Sequence, residues 1–248
     1  MKWRVIGLET NTAYMNMGID EAIAHSVRTG AEPATMRFYK WKPSAVSIGR
    51  FQSLGDEVNV ERCRELGIDY VRRITGGGAV YHDSNGEITY SVIAKEAGMP
   101  SGIHDSYRLI CGWVINGLAA LGIESSFAPI NDIVVGNRKI SGNAQTRRDG
   151  ILLQHGTVLY DLDVERMFGV LRISKEKISD KLIKSVEERV TCVRDYSGVS
   201  QDGLYEALLG GFTDGKDFYM GNLSKEELGQ AFSFSKGTYG TDAWNFSR

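Results

Sequence analysis

Residues 72–83 read RRITGGGAVYHD, and residues 131–145 read NDIVVGNRKISGNAQ. The first stretch places three glycines between two strand-like segments. The second places a single lysine, Lys139, on a tight hairpin that begins with Asn131 and Asp132, with Gly136-Asn137 as its two-residue turn. Together they predict a site that holds an anionic group on backbone N–H donors and sets one cation against it. That is the arrangement needed to activate a carboxylate with a nucleotide.

Around these stretches the pattern is one of alternating helices and strands. Asn11 or Thr12 can cap a helix that carries Met15, Ile19, Ile23 and Val27 at spacings of four. TMRFYKW and AVSIGR read as strands separated by a turn at Pro43. Val60, Cys63 and Leu66 mark a short helix stopped by Gly67. Leu109, Ile110, Trp113, Val114, Leu118 and Leu121 mark a longer one closed by Gly122. DYVRR and EITYSVIAK flank the glycine loop as strands, ILLQHGTVLYD is a further strand, and from residue 174 the pattern turns helical and charged. The fold class expected is α+β, a mixed sheet packed with helices and not a regular βαβ array.

Composition bounds the function. A chain of 248 residues with 42% hydrophobic residues and four prolines can bury a full core. The net charge of −2 gives no general attraction to nucleic acid or to anionic membrane. MKWRVIGLET has no apolar signal core, and no apolar run is long enough to span a bilayer, so a cytoplasmic location is expected. Cys63, Cys111 and Cys192 are odd in number and far apart; they fit neither a disulfide framework nor zinc spacing and read as packing residues.

Each candidate has a plain structural reading beside the functional one. Gly76, Gly77 and Gly78 can form an anion-binding nest or simply a tight turn. No Gly-Lys-Ser/Thr follows them, and a strand rather than a helix comes next, so neither a P-loop nor a dinucleotide fingerprint is present. Adjacent strand residues face opposite ways, so one of Arg72 and Arg73 points at a ligand and the other into structure. Lys139 is either a solvated hairpin lysine or the cation of the site; Ser141-Gly142 beside it lets backbone pass close to something. Asp132 could hold Mg²⁺. His155 and Thr157 alternate around Gly156 and can line one face, or His155 can be a hydrogen-bonded sheet histidine. No Ser-His-Asp order or G-x-S-x-G elbow is present.

RRITGGGAVYHD, NDIVVGNRKISGNAQ and LLQHGTVLYD, with NTAYMNMGIDEAI and SAVSIGRFQS, resemble the lipoate–protein ligase A family. More broadly they resemble the biotin/lipoyl ligase and octanoyltransferase superfamily, whose fold is like that of class II aminoacyl-tRNA synthetases. The likeness is strong over residues 1–165 and continues more weakly through SVEERVTCVRDY. It implies a single catalytic domain over residues 1–248 that activates lipoate with ATP and Mg²⁺ to lipoyl-adenylate. The lipoyl group then passes to a lysine of a carrier. The carriers implied are lipoyl domains of 2-oxoacid dehydrogenase complexes and the glycine cleavage H protein. It also implies site residues. Arg72, Gly76, Gly77, Gly78, Ala79, Val80, Asn131, Asp132 and Lys139 would hold the adenylate. Arg72, Gly77, His82, Lys139, Ser141, Gly142, Ala144, His155, Gly156 and Thr157 would hold lipoate. Lys139 would be the catalytic residue, and Asp132 the magnesium ligand.

Too few residues follow the weaker helical region for the small C-terminal domain of family members that work alone. A separate small accessory ligase subunit is therefore expected. Three rivals stand beside the ligase. An octanoyltransferase of the same fold working by acyl-enzyme would use a cysteine, which one group places where this chain reads SSFAPIND. A biotin ligase would carry a GRGR-type loop where this chain has RRITGGG. A non-catalytic lipoyl- or nucleotide-binding subunit would have no need of Lys139 and Asp132.

Overall fold

The structure, a computed structural model, describes residues 1–161, 163–172 and 188–248. Most of the segment read as helical and charged from residue 174 lies outside the described residues. In chain order the strands are β1 (Lys2–Asn11), β2 (Thr35–Trp41), β3 (Ala45–Ile48), β4 (Asp69–Arg72), β5 (Val80–His82), β6 (Glu87–Lys95), β7 (Ser126–Ala128), β8 (Asp132–Val135), β9 (Arg138–Arg148), β10 (Ile151–Leu159) and β11 (Asp217–Gly221). The helices are α1 (Ala13–Thr29), α2 (Leu54–Glu57), α3 (Val60–Glu65), α4 (Ile103–Ala120), α5 (Val164–Val170), α6 (Gln201–Thr213), α7 (Lys225–Phe234) and α8 (Asp242–Asn245).

Eight strands form one mixed sheet in the order β11-β1-β2-β6-β10-β9-β8-β7, and three form a small sheet in the order β4-β3-β5. The central strands β2, β6 and β10 of the large sheet are buried on both faces because they carry apolar side chains at consecutive positions, while the edge strand β11 is exposed. Val5, Val92 and Leu152 pack on one side with Trp113 of α4 and Phe212 of α6. Their neighbours Ile6, Ile93 and Leu153 pack on the other with Ile19 and Ile23 of α1 and Ala231 of α7. The period-2 alternation of a strand thus feeds two separate cores.

The local signals act as read. Thr12 caps α1 by accepting from the Met15 N–H, and Gly136 at φ +61° makes the β8–β9 turn. The chain crosses between sheets at Pro43: β2 belongs to the large sheet, while β3 is the centre of the small one. The C-terminal segment folds back on the N-terminal half. Arg4 of β1 donates to Glu227 of α7 at 2.6 and 2.8 Å, and Trp244 and Asn245 of α8 dock on β4 at Arg72.

Candidate active site

A cavity of about 180 Å³ lies between the two sheets. One wall is β9–β10, where the register sets His155 opposite Ala144, Gly156 opposite Asn143 and Thr157 opposite Gly142. The other wall is Ser47 of β3, Gly77, Gly78 and Ala79 of the glycine loop, and Val80 and His82 of β5. Met17, Tyr39 and Trp41 close the buried end, while Asn131 and the half-exposed Lys139 stand at the open end.

A β-bulge and a missing Cβ place Lys139. The β8–β9 register shifts between Ile133 and Val134, so Ile140 is the extra residue and Lys139 turns to the same side as Gly142. The lysine stem then crosses Gly142, where a Cβ would lie 2.7 Å from Cε. Nζ reaches Asp132 Oδ1 at 2.7 Å, an ion pair set off the hydrogen-bond axis. The backbone of Lys139 is held from its far side too. Its N–H donates to the Arg189 carbonyl at 2.8 Å and its carbonyl accepts from the Thr191 N–H at 2.9 Å. Asn131 is pinned by mutual hydrogen bonds with Asn143, whose Oδ1 accepts from the Tyr90 hydroxyl at 2.6 Å. That oxygen leaves no room for a side chain at Gly156, where a Cβ would lie 1.9 Å away.

The glycine loop is wound around Arg73. Its guanidinium donates to the Gly76 and Gly78 carbonyls at 2.8 Å each, to Thr75 Oγ1 at 3.1 Å, and to both the carbonyl and Oγ of Ser47 at 3.1 Å. Burial lowers its pKa to about 10, and it remains a cation at neutral pH. Gly77 sits at φ +97°, where an L side chain is strained. Among the described residues, the backbone N–H groups of Gly77, Gly78 and Ala79 have no acceptor.

Two histidines flank the loop. His82 stacks on Trp41 with ring centres 4.0 Å apart; its Nδ1 is 2.8 Å from Glu87 Oε1 and its Nε2 is 2.8 Å from Ser47 Oγ. His155 Nε2 meets Thr75 Oγ1 at 2.7 Å, while Nδ1 stands 3.7 Å from Asp20 Oδ2, beyond hydrogen-bond length. Burial holds the His155 pKa below its ordinary value, with the Arg73 charge acting in the same direction. Burial pushes the Asp20 carboxyl up, but nearby His155 and Arg37 and the Ser91 hydroxyl outweigh it and hold the group below the usual carboxylate range.

The site expected from sequence is largely gathered here. Gly77, Gly78, Ala79, Val80, His82, Asn131, Lys139, Gly142, Ala144, His155, Gly156 and Thr157 all line the cavity. Arg72 does not. It is fully buried, and its guanidinium donates to carbonyls of Gly49, Arg50, Gln52, Trp244 and Asn245, so it clamps the chain behind the loop while Arg73 faces the cavity. Gly76 offers its carbonyl to Arg73, and Ser141 is buried outside the lining. Asp132 is engaged by Lys139 rather than placed with other carboxylates, and among the described residues no group of three His, Cys, Asp or Glu side chains could hold a metal ion. Sequence reading missed Met17, Tyr39, Trp41, Ser47, Thr89 and Asn143, and left Arg73 as one of two alternatives with Arg72. The usable signal was a lone hydroxyl inside the apolar strand AVSI. None of the three cysteines lines the cavity; burial pushes the Cys63 and Cys192 thiols up to about 11 and Cys111 to about 12.

A mixed sheet with a glycine loop facing a lysine hairpin defines a protein of the lipoate-ligase fold. The chain belongs to the lipoyl protein ligase A/B catalytic domain family, whose model matches residues 12–213. It is 36% identical to the octanoyltransferase LipM of Kyrpidia tusciae over 99% of each chain, and 30% identical to that of Bacillus subtilis over 99% and 98%. A bi-partite lipoate protein ligase of Thermoplasma acidophilum, described with its E2 lipoyl domain, has a TM-score of 0.90 at 33% identity, covering 99% of this chain and 96% of that one. A lipoate-protein ligase A bound with ATP has a TM-score of 0.85 at 31% identity over 99% of each chain. The relatives correct the expectation of an ATP-dependent ligase. Full-length likeness runs to transferases of an octanoyl group, which is the rival reading and not the main one. Among the described residues no helix is long and apolar enough to cross a membrane.

Proposed function

We propose that this chain is an acyl transferase that moves an octanoyl group, or a lipoyl group of the same length, from an acyl thioester to a lysine of a lipoyl carrier domain. The observation that carries the reading is the likeness, over essentially the whole chain, to octanoyltransferases. The cavity supports it. Its buried end is lined by Met17, Tyr39 and Trp41, which suit an alkyl chain, and its open end carries Lys139. A thioester carbonyl held near Lys139 gains a negative oxygen as the tetrahedral intermediate forms. A fixed ammonium and the unpaired loop N–H groups would stabilise that oxygen more than the ground-state carbonyl.

ATP and Mg²⁺ have no step to serve in this reaction, because a thioester is already activated. The same holds for a separate activating subunit. The acceptor proposed is a lipoyl domain, in keeping with the E2 lipoyl domain described with the Thermoplasma ligase.

The test is to mix the chain with a lipoyl domain and an octanoyl thioester in the absence of nucleotide, and to weigh the domain by intact-mass spectrometry. One octanoyl amide on the carrier lysine is expected. An unmodified domain, modified only when octanoate and ATP are supplied, would refute the reading.

A further inference from the structure

We propose that Arg50, Phe51 and Arg248 form the docking surface for the acceptor and fit an acidic face beside the acceptor lysine; this rests on the reading above that the acceptor is a lipoyl carrier domain. The patch is built from two segments far apart in sequence, one following β3 and the other made by α8 and the residues after it. Arg72 fastens them together from beneath. Its buried guanidinium donates to carbonyls of Gly49, Arg50 and Gln52 in the first segment and of Trp244 and Asn245 in the second. At the surface the Arg50 guanidinium lies 4.3 Å from the centre of the Trp244 ring, and that of Arg248 lies 5.4 Å from the centre of the Phe51 ring.

Exposure and charge mark this patch. Phe51 is 71% exposed, more than any other large apolar side chain among the described residues. Neither Arg50 nor Arg248 pairs with a carboxylate side chain among the described residues. Burial lowers the Arg72 pKa, and the charges of Arg50 and Arg248 stand close enough to act in the same direction. Three like charges are thus gathered without a counter-ion in a chain whose net charge is −2. Arginine and aromatic side chains are the groups that carry most of the energy at protein interfaces. The small net charge of the chain offers a nucleic acid or an anionic membrane no wider field to follow.

The patch continues the rim of the cavity. Gly49 packs on the glycine loop, where a Cβ would collide with the Gly77 carbonyl, and the Arg50 N–H donates to the Thr75 carbonyl at 2.9 Å. Gly77 is itself exposed and lines the cavity. An acceptor lysine arrives there as an ammonium, at a site that already holds Lys139 and Arg73. Like charges repel, so the acceptor is drawn in only if its own surface carries acids. Arg50 and Arg248 give those acids partners other than Lys139, and Phe51 gives the contact an apolar centre. The thioester donor has no such need, because its reacting group is neutral.

The experiment separates docking from chemistry. The acceptor is an isolated lipoyl domain whose lysine is flanked by acidic residues, and the donor is octanoyl-N-acetylcysteamine. By calorimetry, the Kd of the domain for the full wild-type chain should weaken by about 5-fold or more between about 50 and about 300 mM NaCl. Joint replacement Arg50→Glu and Arg248→Glu should raise the Kd and the KM for the domain by about 10-fold or more and flatten the salt dependence. Its kcat, and its KM for the thioester, should stay within about twofold of wild type. Phe51→Ser should raise the KM for the domain and keep the salt dependence, which keeps the proposal testable if the double variant folds poorly. A domain with a flanking acid changed to lysine should bind the double variant better than the wild-type chain. An unchanged Kd and KM in both variants, or a rise in the thioester KM alone, would overturn the proposal. So would tighter binding of heparin than of the domain, lost in the double variant, which would assign the patch to a polyanion. Binding needs no chemistry, so a domain that binds as expected but receives no octanoyl group from the thioester would defeat the transferase reading and leave the docking surface standing.

Discussion

The polar group of the β9–β10 wall is a half-exposed ion pair; that of the β3–β5 wall is a buried network. The Lys139 and Asp132 side chains are 42% and 33% exposed, so their pairing contributes little to stability, and in the proposed reaction Lys139 would exchange Asp132 for a substrate oxygen. Arg73, Ser47 and His82 are buried and mutually hydrogen-bonded, so their positions are set before any ligand arrives. One wall supplies a movable charge and the other supplies a preorganised cradle. Substitution of the exposed Lys139 should therefore change activity alone, and substitutions on or behind the second wall should change stability as well.

The largest loss of activity without a loss of stability is expected at the exposed wall. Lys139→Ala should cut acyl transfer by about 10²–10³-fold, as loss of one electrostatic donor to an oxyanion does. Its denaturation midpoint should move by no more than about 0.5 kcal/mol equivalent. A rate assay and a urea titration on the same preparation check both halves. Behind the cradle, Arg72→Ala removes the guanidinium donor from five buried or part-buried carbonyls, of which Gly49 and Trp244 keep a backbone donor, and should cost about 2–4 kcal/mol of stability. An unchanged urea midpoint would mean that the clamp behind the loop is idle.

Within the β9–β10 wall, at its buried part, Gly156→Ala puts a Cβ against Asn143 Oδ1 and Tyr90 Cε1 and should destabilise by about 1–3 kcal/mol, read from the same titration. A smaller effect concerns pH. The folded pKa of His155 lies below its ordinary 6.5, so its unfolded form binds the extra proton. Its contribution is full above pH 6.5 and is lost as pH falls from 6.5 through the folded value. The loss of stability between pH 7.5 and 5.5 should therefore be shallower in His155→Gln than in the wild type. The smallest effect is on the chemistry of the triple replacement of Cys63, Cys111 and Cys192 by Ala. Some stability is lost at three buried positions, but acyl transfer should persist, and a rate near zero in a folded variant would reinstate a thiol nucleophile.

The two walls also differ in how far the sequence disclosed them. The lysine hairpin is legible because its turn, its glycine and its charged pair lie within a few residues of one another, where local chemistry decides. The glycine loop is legible for the same reason. The two arginines before it are not. Strand alternation says that one of them faces the ligand, and the family resemblance pointed to Arg72. The choice is made by Trp244 and Asn245, more than 170 residues away, which take Arg72 into the fold and leave Arg73 to the cavity. Ser47 is hidden in the same way: AVSI reads as a buried strand, and its imidazole partner is 35 positions on in a different strand. The reaction class was misread for a related reason. The motifs Lys139 and Gly77 serve suit any acyl group that develops a negative oxygen, whether the donor is an adenylate or a thioester.

The donor itself is thus the direct test. The chain is given deuterated octanoyl thioester and unlabelled octanoate with ATP and Mg²⁺ in one vessel, with a lipoyl domain as acceptor, and the carrier lysine is read by mass spectrometry. Deuterated octanoyl amide on that lysine is the predicted result; an unlabelled amide would contradict the account.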